Sequence, residues 1–149
     1  MAFSRIAVYY LAGSMAQGAF WLPREGEPLL LVRRGGERAA LESPSVRRTG
    51  YKSYKDFGPL CAEAGVPLPP AVAVEMNGLS WQLGSMLAGR LNGTRLLPGD
   101  AALALAQALK SEWELAILRQ CGRLHHEALH GRLPGLIRPG ALARIREHQ

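Results

Sequence analysis

The sequence predicts an α/β domain, and three observations predict it. The first third carries apolar runs of strand length. From Tyr54 the apolar period lengthens to that of helices. Short strand-like and helix-like segments then alternate along the chain.

In chain order, IAVYYLA reads as a first strand, because aromatic and β-branched residues suit a pleated surface. GAFWLP reads as a second and PLLLVRR as a third. The polar, glycine-containing REGE turn at Arg24 to Glu27 joins the last two into a hairpin. LLLV is apolar at consecutive positions, so this strand is expected to be covered on both faces. GGERAALE follows as a short helix.

YKDFGPLCAEAG sets Phe57, Leu60, Cys61 and Ala64 on one helical stripe, with Gly65 as the C-terminal cap and Pro59 near the first turn. After the proline-rich VPLPP, AVAVE is a short buried strand. LSWQLGSMLAGRL is then a helix with Ser80 as N-cap and Leu83, Met86, Leu87 and Leu91 pointing inward. TRLLP is the next strand. Asp100 caps a long amphipathic segment that divides into two helices near Lys110 and Ser111. PGLIRPG is a loop, and ALARIREHQ begins another helix.

At 149 residues the chain holds one domain, or one domain and part of a second. Its two cysteines, Cys61 and Cys121, form no C-x-x-C and no disulfide framework, which favours a reducing, cytoplasmic compartment. Arg5 and IAVYYLA imitate a secretory signal, but the run is short, holds two tyrosines and is broken by Gly13 and Ser14. Nothing approaches the roughly 20 apolar residues of a membrane span.

The net charge of +6 invites a nucleic-acid partner. Arginines spread along the chain supply most of it. The densest stretch, VRRTGYKSYKDF, interleaves Arg47, Arg48, Lys52 and Lys55 with Tyr51 and Tyr54, a pattern able to grip phosphates and stack bases. A solvated loop leading into a helix is the simpler reading of it.

HEALH, His126 to His130, has the His-Glu-x-x-His spacing of zinc peptidases, in which two histidines share a zinc and the glutamate activates water. Glu147 or His148 could be nominated as third ligand. The apolar stripe of this helix, however, runs through Ile117, Leu118, Cys121, Leu124, Ala128 and Leu129. At about 100° per residue, His126 lies opposite Ile117 and His130 falls off the stripe. Their neighbours there are Arg119 and Arg123, which oppose a dication. His125 lies at the stripe's edge, a place for a core or interface histidine. Asp56 and Asp100, the two aspartates, sit in separate elements, and no serine is marked as activated. No catalytic, cofactor-binding or metal-ligating residue is therefore assigned.

KSEWELAILRQCGRLHHEALHGRLPGLIRPGAL resembles the junction of the creatinase/prolidase family of pita-bread metallopeptidases. Lys110, Ser111, Glu114, Leu118 and Arg119, then Ile137, Pro139 and Gly140, match its order. YYLAGS at Tyr9 to Ser14 is similar to the family's Tyr-Leu-Thr-Gly strand end, with Ala12 in place of threonine. The resemblance implies that residues 1–109 are a creatinase-type N-terminal domain, a ribonuclease-H-like mixed sheet flanked by helices. Residues 110–149 would be the start of the catalytic domain.

On this resemblance the whole protein is a metal-dependent Xaa-Pro aminopeptidase or dipeptidase acting on proline-containing peptides, and a dimer. Its N-terminal domain makes subunit contacts and helps wall the substrate cleft. The family's two metal ions are held by two aspartates, a histidine and two glutamates that match no position here. The 149-residue chain is thus expected to hold no cofactor and to be inactive, with neither membrane nor nucleic acid as partner. The family's first helix and strand, ahead of FSRIAVYYLAG, are expected to be missing or shortened, which exposes a sheet edge. Two other readings stay open: a small zinc peptidase using His126, Glu127 and His130, and a basic nucleic-acid-binding module over Arg47 to Lys55.

Overall fold

The computed structural model describes residues 1–91 and 93–136. Ile137, Pro139, Gly140, Glu147, His148 and the helix expected over ALARIREHQ lie outside the described residues. Two compact units divide the chain, Met1–Ala106 and Gln107–Gln149.

The first unit is mixed α/β, as expected: small sheets flanked by helices. Strand β2 (Leu29–Arg34) pairs antiparallel with β1 (Gln17–Trp21) and parallel with β3 (Arg47–Gly50). A second pair, β4 (Ala71–Val74) and β5 (Arg95–Pro98), is parallel. The extended Met1–Phe3 segment joins the two. Ala2 exchanges both backbone hydrogen bonds with Phe20 of β1, at 2.9 and 2.8 Å. On its other side, the Met1 nitrogen donates to Ala73 O and Glu75 N donates to Met1 O. β1 thus has a backbone partner at Phe20 besides β2.

The central strand explains its own composition. Leu29, Leu30, Leu31 and Val32 are all buried. Leu29 and Leu31 enter one core with Trp21, Phe57, Val72, Val74 and Leu87. Leu30 and Val32 enter another with Ala7, Val8, Phe20 and Ala39. Each such side chain removed from water is worth about 1.5–3 kcal/mol. β3 was not anticipated as a strand. Among the described residues only one side of it pairs, and Arg47 and Arg48 are exposed, so it lacks the apolar signature of a covered strand. Charged residues of this kind protect an edge from further pairing.

IAVYYLA is not a strand but helix α1 (Arg5–Ala12). Ser4 accepts a hydrogen bond from Ala7 N, and Gly13 closes the helix at φ +74°, a conformation glycine adopts without penalty. Its buried positions, Ala7, Val8 and Ala12, have helical spacing, and Tyr9 and Tyr10 face outward. The terminal signals outweigh the β preference of the residues between them.

Helix α2 spans Gly36–Glu42. A 3-10 turn over Tyr54–Asp56 leads into α3 (Phe57–Glu63), with Pro59 in its first turn and Phe57 and Cys61 buried as expected. Ala64 is the C-cap, and Gly65 follows in the left-handed region at φ +70°. α4 (Trp81–Arg90) starts on Ser80, which accepts from Leu83 N. It buries Leu87, and Leu91 just beyond it is buried too. Met86 is about half exposed, contrary to expectation, since it lies a quarter-turn off the line of Leu83, Leu87 and Leu91.

α5 (Asp100–Ala108) and α6 (Glu112–His126) are the two helices expected to meet near Lys110 and Ser111. Beyond α6, the helix widens to a π form over Glu127–Arg132 and returns to α as α7 (Leu133–Leu136). Pro134 supplies a cause, because it has no N–H for the His130 carbonyl and its ring crowds that group. A uniform 100° step therefore fails after His126.

Candidate functional site

α6 begins with a reciprocal cap. Ser111 Oγ accepts from Glu114 N, and the Glu114 carboxylate accepts from Ser111 N at 2.7 Å and from its hydroxyl at 2.8 Å. These donors, the Ser111 N–H foremost, hold the Glu114 carboxyl below the usual carboxylate range. None of α6 is buried. Ile117, Leu118, Cys121 and Leu124, the stripe read from the sequence, are exposed, and so is His125.

His126 and His130 are brought together on the surface, with ring centres 4.6 Å apart and ring planes 34° from parallel. Glu127 does not join them. Its carboxylate receives a hydrogen bond from Arg132 at 3.1 Å, an i to i+5 pair that the π form places on one face. Among the described residues, no three His, Cys, Asp or Glu side chains stand together as a metal site. A zinc peptidase needs three protein ligands, a water and a free general base. HEALH provides two exposed imidazoles and a glutamate engaged by arginine.

The basic stretch is split by the fold. Tyr51 and Tyr54 turn inward onto Phe57, with ring centres 4.7 and 5.3 Å away, both edge-to-face. Burial pushes the Tyr51 hydroxyl up to about 12 and raises that of Tyr54. Neither ring is a platform for a base, so the stacking half of the nucleic-acid reading is corrected: these tyrosines are core. Arg47, Arg48, Lys52 and Lys55 remain exposed, and the Arg47 guanidinium donates to the Ala64 carbonyl at the end of α3.

Both aspartates hold backbone. The Asp56 carboxylate accepts from Ser53 N at 2.8 Å and Lys52 N at 3.0 Å, bonds that keep it below the ordinary carboxylate range. Asp100, the first residue of α5, accepts from Met76 N at 3.0 Å and Asn77 N at 2.9 Å, fixing the loop after β4. Neither is paired with a histidine among the described residues. Cys61 is buried, with its thiol pushed up to about 11, and Cys121 is exposed.

Two polar residues that the sequence did not single out hold the fold at long range. Glu75, after β4, accepts from Phe3 N, Ser4 N and Ser4 Oγ. Glu42, at the end of α2, accepts from Ser14 Oγ, Met15 N and Arg38 Nε. The end of AVAVE was a weak hint of the first. Nothing in sequence marks the second, because both roles depend on partners far along the chain.

A cleft of about 270 Å³ lies among Met1, Leu11, Phe20, Leu22, Ala73 and Leu103, with the Glu75 carboxylate and the Met1 amino group as charged groups in its lining. That carboxylate already has its three donors. A shallower one of about 360 Å³ is bordered by Arg33, Arg34 and Arg48 around Gly35 and Gly36. Neither is lined by a nucleophile with a base beside it. No described helix is long and apolar enough to cross a membrane.

No curated protein matches the chain. The family described as the Creatinase/Prolidase N-terminal domain does, over residues 1–107. The matched residues take in every strand of the mixed sheets and the helices around them. With 107 of the 149 residues matched, the chain belongs to the creatinase/prolidase N-terminal domain family.

Proposed function

We propose that residues 1–109 are the non-catalytic N-terminal domain of an Xaa-Pro peptidase-like metallohydrolase. Lys110 then opens its catalytic domain. The family match over residues 1–107 carries this reading. The Lys110–Ser111–Glu114 order and the capping box that starts α6 support the placement of the boundary. An amphipathic helix with no buried residue has its apolar face free for the remainder of such a domain.

The N-terminal domain serves subunit contacts in a cytoplasmic dimer and shapes the cleft for a proline-containing peptide. It does this as a rigid wall rather than as a chemical participant. The parent reaction is water attack on the Xaa-Pro peptide bond, promoted by two divalent ions that activate the water and polarise the carbonyl. The described residues of this chain do not fit that ion pair: Asp56 and Asp100 are committed to backbone N–H groups in separate elements.

The test compares the 149-residue chain with the protein encoded by its complete reading frame, each with Mn²⁺ and an Xaa-Pro dipeptide. Hydrolysis by the longer protein alone is the expected result. Metal-dependent cleavage by residues 1–149, or none by the longer protein across Xaa-Pro substrates, would overturn the reading. Sedimentation of the longer protein as a monomer would remove the subunit-contact role.

A further inference from the structure

We infer that His126 and His130 form a two-imidazole chelate for a borderline divalent transition-metal ion, Cu²⁺ or Zn²⁺, on the surface of the second unit. This inference does not depend on the proposed function. The objection to a catalytic zinc was the want of a shielded third ligand and a free base. A surface chelate requires neither, because water completes the coordination.

Geometry carries the inference. A metal–nitrogen bond is about 2.1 Å, and the centre of an imidazole ring lies roughly 1 Å further out. Two rings on adjacent corners of a square-planar ion, the geometry of Cu²⁺, then have centres about 4.5 Å apart, whereas tetrahedral Zn²⁺ spreads them to about 5 Å. The observed separation of His126 and His130 is 4.6 Å. Both rings are exposed, so they turn toward an ion without disturbing a core. Imidazole nitrogen suits Cu²⁺ and Zn²⁺, and Cu²⁺ binds the more tightly of the two.

The charges nearby set limits. Glu127 is paired with Arg132 and brings no net charge to the site. Arg123, about one helical turn before His126, and Arg119, about one turn further back, oppose a cation. Binding requires both imidazoles neutral and so weakens as the solution is acidified.

Isothermal titration of the 149-residue chain with CuCl₂ at pH 7.5, and with ZnCl₂ in parallel, tests the inference. One saturable equivalent is expected, tighter for Cu²⁺. Removing an outer partner of a metal ligand already costs ten- to a hundredfold in affinity, so His126→Ala and His130→Ala should each weaken binding at least about tenfold. His125→Ala should leave it unchanged. Unaltered circular dichroism in each variant separates ligand loss from unfolding. Absence of saturable binding, or binding that survives either His126→Ala or His130→Ala, would overturn the chelate.

Discussion

Ser4 and Glu75, 71 residues apart, are joined by a 2.5 Å hydroxyl–carboxylate hydrogen bond. The same serine accepts from Ala7 N to start α1, and the same carboxylate receives the N–H groups of Phe3 and Ser4. Glu75 N also donates to Met1 O. One contact therefore sets the entry of α1 and fastens the Met1–Phe3 segment to the strand pair beyond it.

Replacing Glu75 with alanine deprives two backbone donors and the Ser4 hydroxyl of their acceptor. Hydrogen bonds to a charged group contribute about 1.5–3 kcal/mol each, and three on one carboxylate are not additive. A loss of about 2–4 kcal/mol is expected in urea unfolding of Glu75→Ala, and a smaller one in Glu75→Gln, which keeps an acceptor. Equal stability of Glu75→Ala and the parent chain would show that the contact does not organise the fold.

The α/β class, the hairpin, the doubly covered β2 and the start of a new helix at Ser111 were all legible, because each is written in local signals. Leu29 to Val32 is apolar without a break, and Ser111 with Glu114 spells a capping box. α1 was misread because the tyrosines and valine of IAVYYLA are strand formers, and their preference was set above Ser4 and Gly13. β3 was missed because an edge strand with two exposed arginines has no apolar period. Tyr51 and Tyr54 resembled a base-stacking pair, since sequence does not show which way a ring turns when Phe57 lies beneath it. Beyond His126 the helical wheel itself changes, and the 3.6-residue period no longer reports which face a residue occupies.

Gly18 sits where β1 departs from regular pairing, between Gln17 and the strand proper. A Cβ there would lie 2.0 Å from the Leu31 carbonyl oxygen of the neighbouring strand, a backbone atom that cannot swing aside. Gly18→Ala is expected to cost about 2–3 kcal/mol or more through displacement of β1 from β2. Gly89, in α4, has no neighbour within 4 Å of an added Cβ. Gly89→Ala should stabilise by about 0.5–1 kcal/mol, since alanine loses less backbone freedom in a helix. Thermal melts of the two variants should shift in opposite directions, and a shared direction would contradict the packing at Gly18.

Glu42 ties the end of α2 to the loop after α1. The Arg38 guanidinium lowers its carboxyl below the usual range first, and then the Met15 N–H. A depressed folded-state value means the ionised form is favoured by folding. Its contribution is therefore whole above the ordinary carboxylate range and is lost as pH falls through that range toward the depressed value. Unfolding midpoints taken from pH 7 down to pH 3 should fall less steeply in Glu42→Gln than in the parent chain. Identical slopes would show that protonation of Glu42 has no part in the acid sensitivity.

The two thiols should separate by reactivity. Cys61 lies in the core against Phe57 and Val72, where burial pushes its thiol up to about 11, so at pH 8 only about one molecule in a thousand carries the thiolate. Cys121 is exposed on α6. A disulfide reagent added to the native chain at pH 8 should release one equivalent quickly and the second only on unfolding. Cys121→Ser should abolish the fast equivalent, and Cys61→Ser should leave its rate unchanged while lowering stability through loss of packing. A fast equivalent that persists in Cys121→Ser would mean that the core around Phe57 opens readily in the native state.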